Sequence, residues 1–231
     1  ISHLVFMKGM EMPLHCYDDG RASSVISDIR AVAREMGVAC IVGETNIRDQ
    51  FPLKWGPYYH GAGLAATALS LSAGIEFFLI PSTHTYNDVF PWGSSPLVDH
   101  LWSTNLLEVI HDGAEAERAA KISKVLAESP LALSKLRVCT SNTGGNGNCG
   151  HCAKCIRTMI SLHICGALQR AASFSSPLPR DVRKHINVSD ENSASFAREN
   201  LRLAEQYCAD RRVVKALSRA VRLGRLRHCH N

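Results

Sequence analysis

Four of the chain's nine cysteines fall within one short stretch, CTSNTGGNGNCGHCAKC, which runs from Cys139 to Cys155. Thiolates at C-x₂-C spacing reach one ion from a tight knuckle, and a structural Zn²⁺ takes four soft ligands in a tetrahedron. Cys149, Cys152 and Cys155 have that spacing, and Cys139 closes the loop from upstream. Gly150 permits the knuckle to turn, and the small polar residues 140–148 let the loop wrap without strain. The pattern predicts a four-thiolate site made of Cys139, Cys149, Cys152 and Cys155. Two other chemistries use the same residue type. A redox dithiol needs one acidic thiol and usually only two cysteines, so four fit it poorly. An iron–sulfur cluster also takes four thiolates, and on the sequence the choice between a single ion and a cluster stays open. His151, inside the knuckle, is expected to face solvent.

A second set of candidates follows the most apolar stretch, IEFFLIP at 75–81. Ser82, Thr83, His84, Tyr86 and Asp88 leave that strand at the edge where α/β sheets place their ligands. His84 and Asp88 are the expected working groups; for Ser82 and Thr83 the alternative is loop capping. Asp99 and His100 lie near Trp92 and Trp102, which either stack on a base or sugar or simply anchor the loop. Thr45, Asn46 and Arg48 follow the strand ACIVGE, and Arg48 suits a phosphate or carboxylate unless it is an ordinary surface arginine. Arg118 and Lys121 share one face of a helix. There Lys121 has an alternative partner in Glu117, four residues earlier.

The elements that must position these groups alternate. Apolar strands are expected at 3–9, 39–45, 75–83 and 106–113, and helices at 20–37, 60–74 and 114–129. Short apolar strands interleaved with helices predict a parallel sheet covered on both faces, the Rossmann-like doubly wound α/β class. The glycines of HGAG (60–63) serve close helix packing better than phosphate binding. Residues 84–105 form a long polar connection, and connections of that length are usually functional or disordered; its two tryptophans argue for order. A helix follows Cys155, a Ser/Pro linker spans 173–181, and helices are expected near 189–208 and 210–223. Two domains are expected: 1–168, carrying the cysteine loop 139–155, and a helical basic tail, 169–231.

The chain has 231 residues, 45% of them hydrophobic and 20% charged, a composition that supports a buried core and excludes disorder. No apolar run approaches the ~18 residues of a membrane helix, so no membrane contact is expected. The chain opens at Ile1 directly on a core-like strand with no leader pattern, so an upstream segment is expected to be missing. An odd number of cysteines, unevenly spread, predicts a reducing, cytoplasmic setting. Cys16, Cys40, Cys165, Cys208 and Cys229 are then small buried or surface residues. The net charge is +5, but from Arg170 onward thirteen Lys and Arg face six Asp and Glu, so the first 169 residues carry −2. Arg212, Lys215, Arg219 and Arg222 recur at helical spacing. With no aromatics between them, they predict a solvated helix or an acidic partner rather than a nucleic-acid reader.

The loop GNGNCGHCAKC, with Cys139 upstream and a helix after it, resembles the zinc loop of 7-cyano-7-deazaguanine synthases. These belong to the PP-loop ATP pyrophosphatases, or adenine nucleotide alpha hydrolase-like proteins. The resemblance covers roughly residues 1–168 and is specific at the cysteines. It implies zinc on Cys139, Cys149, Cys152 and Cys155, and a Rossmann-like sheet. It further implies ATP with Mg²⁺ as the activating substrate of an adenylating, C–N bond-forming ligase or amidohydrolase-like enzyme. Thr45, Arg48, Ser82 and Arg118 would then contact the nucleotide, and His84, Asp88 and Lys121 the reacting groups. The family's Ser-Gly-Gly-x-Asp-Ser pyrophosphate loop does not occur in the chain, Arg157 sits one place nearer the last cysteine than in the synthases, and the loop 83–102 differs from theirs. These departures point to another small-molecule substrate and a divergent branch. The alternative is a zinc-stabilised binding module without catalysis, with nucleic acid as its lesser candidate partner. A homodimer is compatible with either.

Overall fold

The computed structural model describes residues 1–139 and 147–228. It divides into two compact units, Ile1–Glu117 and Arg118–Asn231. The chain is mixed α/β, about 50% helical and 10% strand, and the strands form two small parallel sheets. Among the described residues no helix is long and apolar enough to cross a membrane.

The first unit holds both sheets. β1 (His3–Lys8) and β2 (Ala39–Glu44) pair in parallel, with His3 opposite Ala39 and Lys8 opposite Glu44. The crossover between them is α1 (Asp19–Glu35), which packs on both strands. Parallel neighbours need such a crossover, because a tight turn cannot reverse the chain twice. After β2 come a single turn, α2 (Ile47–Gln50), a π-helical turn at Trp55–Tyr59, and α3 (His60–Ser70). A second parallel pair follows, β3 (Phe77–Pro81) with β4 (Glu108–Asp112). Its core is Ala68, Ile80, Leu107 and Val109. The HGAG glycines serve packing: a Cβ on Gly61 would lie 1.9 Å from the carbonyl oxygen of Gly93.

The second unit is helical: α4 (Arg118–Lys124), α5 (Pro130–Lys135), α6 (Ala153–Ile164), α7 (Glu191–Gln206) and α8 (Arg211–His228). The helix expected over 114–129 is shorter, for two reasons. The carbonyl of Ala114 accepts the N–H of Tyr86 at 3.0 Å, which ties that end to a loop. At the other end Ser129 caps the next helix, accepting from Ala132 N–H at 3.2 Å, and Pro130 at its first position stops the preceding turn. One apolar cluster joins Ile156, Met159 and Leu162 of α6 to Val213 and Leu217 of α8. The cysteine loop therefore shares its core with the C-terminal helices, within the compact unit that begins at Arg118.

Helix α7 begins at Asp190, whose Oδ1 accepts Ser193 N–H at 2.8 Å, a cap that satisfies an otherwise open donor. On α8, Val213, Ala216, Leu217 and Ala220 are buried, while Arg212, Lys215, Arg219 and Arg222 are exposed. That division is the amphipathic period expected of a surface helix. Cys208 is exposed, Cys16, Cys40 and Cys165 are part-buried free thiols, and Cys229 lies outside the described residues.

Candidate metal centre and the polar cleft of the first unit

The four expected cysteines converge. Their Sγ atoms all lie within 4.8 Å of one another. Cys149 and Cys155 are 3.8 Å apart, and Cys139 and Cys152 are 3.9 Å apart. A tetrahedron with metal–sulfur bonds of ~2.3 Å has sulfur–sulfur edges of about 3.8 Å, so the thiols fit a single ion. A disulfide would bring sulfurs to ~2.05 Å, and all four thiols are free. A multi-iron cluster distributes its thiolates over more than one iron, which sets some of the sulfurs farther apart than the four seen here. The four cysteines can therefore hold one metal ion such as zinc.

The backbone arranges this site locally. Gly150, at φ +75°, makes the knuckle turn. Cys152 caps α6, so its sulfur accepts Cys155 N–H at 3.5 Å, and Cys149 Sγ accepts Cys152 N–H at 3.4 Å. Such N–H groups stabilise thiolate charge. Burial pushes the Cys149 thiol up, but N–H groups of His151 and Cys152, with the thiols of Cys139 and Cys152, bring it down to about 6. Burial holds the Cys152 and Cys155 thiols above their ordinary range. His151 is exposed and donates from Nδ1 to the carbonyl of Cys149 at 2.8 Å, away from the sulfurs.

Asn148 orients the first ligand, a role its place in a small polar loop concealed. Its Oδ1 accepts the N–H groups of Val138 at 2.9 Å and Cys139 at 3.1 Å, and its Nδ2 donates to Leu136 at 2.9 Å. The buried amide thereby joins the two ends of the loop. The signal available in the sequence was an amide side chain directly before the knuckle.

In the first unit a polar cluster lies beneath the long connection. Asp99, fully buried, accepts Ser94 Oγ–H at 2.6 Å, Ser95 N–H at 3.3 Å and His111 Nδ1–H at 2.7 Å. His111 has only 4% of its side chain exposed, and its Nε2 has no hydrogen-bond partner among the described residues. His111, His84 and Asp88 line one cleft of about 10 Å³, room for about one water. The His84 ring packs edge-on against Phe90 at 4.6 Å and Trp92 at 5.9 Å. Trp92 thus anchors the loop, whereas Trp102 is 40% exposed. The sequence reading named His84, Asp88 and Asp99 but missed His111, whose cue was a histidine inside a strand that ends in Asp-Gly.

The remaining candidates are not among the residues that line that cleft. Thr45 Oγ1 accepts Ile47 N–H at 3.3 Å, a local turn. Arg48 Nη1 donates to the carbonyls of Glu11 at 2.7 Å and Met10 at 3.3 Å, and the guanidinium lies over Trp55 at 5.1 Å. It ties α2 to the loop after β1, and burial lowers its pKa. Ser82 N–H bonds Asp112 at 2.8 Å, continuing the β3–β4 ladder. Arg118 and Lys121 lie on α4, in the second unit. No protein-family model, no curated protein and no solved structure matches this chain.

Proposed function

We propose that this chain is a divergent PP-loop ATP pyrophosphatase-type protein, an ATP-dependent, adenylating enzyme acting on a small-molecule substrate in the cytoplasm and carrying a structural zinc. The observation that carries the reading is the convergence of the four sulfurs of Cys139, Cys149, Cys152 and Cys155 at the start of α6, in a loop resembling that of the 7-cyano-7-deazaguanine synthases. The doubly wound Rossmann-like sheet belongs to this proposal, and the two parallel strand pairs are compatible with it.

Zinc held by four thiolates has no open position for substrate, so its contribution is structural. The chemistry falls to side chains of the first unit. In this reading a nitrogen nucleophile sheds a proton as it attacks an adenylated carbon, forming the C–N bond while the carbon–oxygen bond to the adenylate breaks and AMP leaves with its electron pair. Buried Asp99 orients His111 through Nδ1, which presents Nε2 as a proton acceptor, and the carboxylate stabilises the imidazolium that forms. His84 and Asp88, on the same cleft, position the substrate. Thr45, Arg48 and Ser82 are the first-unit candidates for the nucleotide in this reading; Arg118, the other nucleotide candidate, and Lys121, the third candidate for the reacting groups, lie on α4 in the second unit.

Calorimetric titration with Mg²⁺ and a non-hydrolysable ATP analogue, beside metal analysis of the same sample, tests it. One zinc and one nucleotide per chain is the expected result. Zinc without nucleotide binding would leave a zinc-stabilised binding module instead.

A further inference from the structure

The second unit contains a cavity of about 30 Å³ that the cysteine site does not use. Its apolar wall includes Ile156, Ile160, Phe196 and Leu217, and Arg157 and Asn187 stand among its polar groups. Arg157 projects from α6, and its guanidinium stacks 3.9 Å from the centre of the Phe196 ring on α7. Arg118 of α4 approaches the same ring at 5.3 Å. Two guanidiniums therefore share one ring.

Their hydrogen bonding is unusual. Neither guanidinium donates to a protein acceptor among the described residues, and the Arg118 Nε is buried without a partner. The carboxylate that acts on both is Glu199, buried, whose Oε2 also accepts Ala119 N–H at 3.3 Å. A guanidinium set among apolar side chains, with its N–H groups donated to no protein acceptor among the described residues, is costly unless an acceptor enters. An arginine fork matches the two oxygens of a carboxylate or phosphate.

We propose that this cavity binds a small carboxylic acid with a short apolar tail. Its carboxylate meets Arg157, with Arg118 behind, and the tail lies on Ile156, Ile160 and Leu217. Size selects within the oxyanions: the space holds roughly two or three waters' worth of volume, which admits a carboxylate head and excludes a nucleotide. The inference does not depend on the adenylation reading, since it uses only α4, α6, α7 and α8.

The test is thermal melting of the full zinc-loaded chain with propionate, butyrate or inorganic phosphate, against chloride at matched ionic strength. Propionate and butyrate are expected to raise Tm saturably. Arg157→Met should abolish that shift, and Arg157→Lys, which keeps the charge but loses the fork, should weaken the midpoint about tenfold, the ~1.4 kcal/mol that distinguishes a paired from a single contact. Zinc content of each variant shows that the unit is still folded; should Arg157→Met lose its metal, the lysine variant alone decides. An equal shift from chloride, or a shift undiminished in a zinc-loaded variant, overturns the proposal. Phosphate binding more tightly than butyrate overturns the carboxylate assignment.

Discussion

Asp99 accepts the Nδ1–H of His111 at 2.7 Å, with both side chains almost wholly removed from water. A carboxylate so placed is stable only while its donors stay in position. Ser94 and Ser95, which supply the others, sit on the long connection; His111 sits on β4. The pair therefore fastens an irregular loop to the sheet as well as orienting an imidazole.

Asp99→Ala would strand three buried donors at once. Removing one partner of a buried charged cluster costs about 3–5 kcal/mol, so urea unfolding should show a midpoint lowered accordingly with the slope unchanged. Asp99→Asn keeps the shape and one acceptor oxygen, and should lose roughly half as much.

Gly61→Ala tests whether α3 owes its position to bare backbone. A Cβ there meets the carbonyl of Gly93 at 1.9 Å, and backbone cannot rotate away. Overpacking of this kind costs about 1–3 kcal/mol or more. Gly20→Ala, whose nearest neighbour is a side-chain oxygen of Asp18 at 3.4 Å, should not destabilise comparably. Equal effects in circular-dichroism melts would contradict the close-packing role.

How far the sequence foretold these features varies with the kind of constraint. The thiol site was legible because metal geometry fixes both residue type and spacing, so Cys149, Cys152 and Cys155 announce themselves. Strands β1 to β4 were legible as apolar runs, but such a run does not say which neighbour it pairs with, and the two parallel pairs appeared only in three dimensions. His111 was hidden because its partner Asp99 lies twelve residues away across a loop. Phe196 and Glu199 read as ordinary positions of α7, and only packing brings Arg157 and Arg118 to them.

Asp210 sets up a pH dependence at the start of α8. Its Oδ1 accepts the N–H groups of Arg212 at 2.6 Å and Val213 at 3.1 Å. Burial alone would raise its pKa, but those N–H groups, His163 and Arg212 together bring it below the usual carboxylate value. A folded pKa below the unfolded one means the cap's stabilisation is full above the unfolded value and fades as pH falls through the folded one. Asp210→Ala should cost about 1 kcal/mol at neutral pH, and the difference from the parent should shrink in acid. A difference that grows on acidification would contradict this.

Asn148→Ala removes the amide that holds the loop ends together and leaves the N–H groups of Val138 and Cys139 without their acceptor. Groups that orient a metal ligand typically contribute 10–100-fold to affinity. Competition with a chromogenic chelator should show zinc held more weakly by about that factor, while Asn187→Ala, on an exposed residue far along the chain, should leave it unchanged.

The central claim is the metal on Cys139, Cys149, Cys152 and Cys155, and elemental analysis of the purified, reduced chain addresses it most directly. The account predicts one zinc per chain, lost with the fold of the second unit when a strong chelator is added, and absent from Cys155→Ser. Finding no bound metal, or several irons with sulfide, would contradict it.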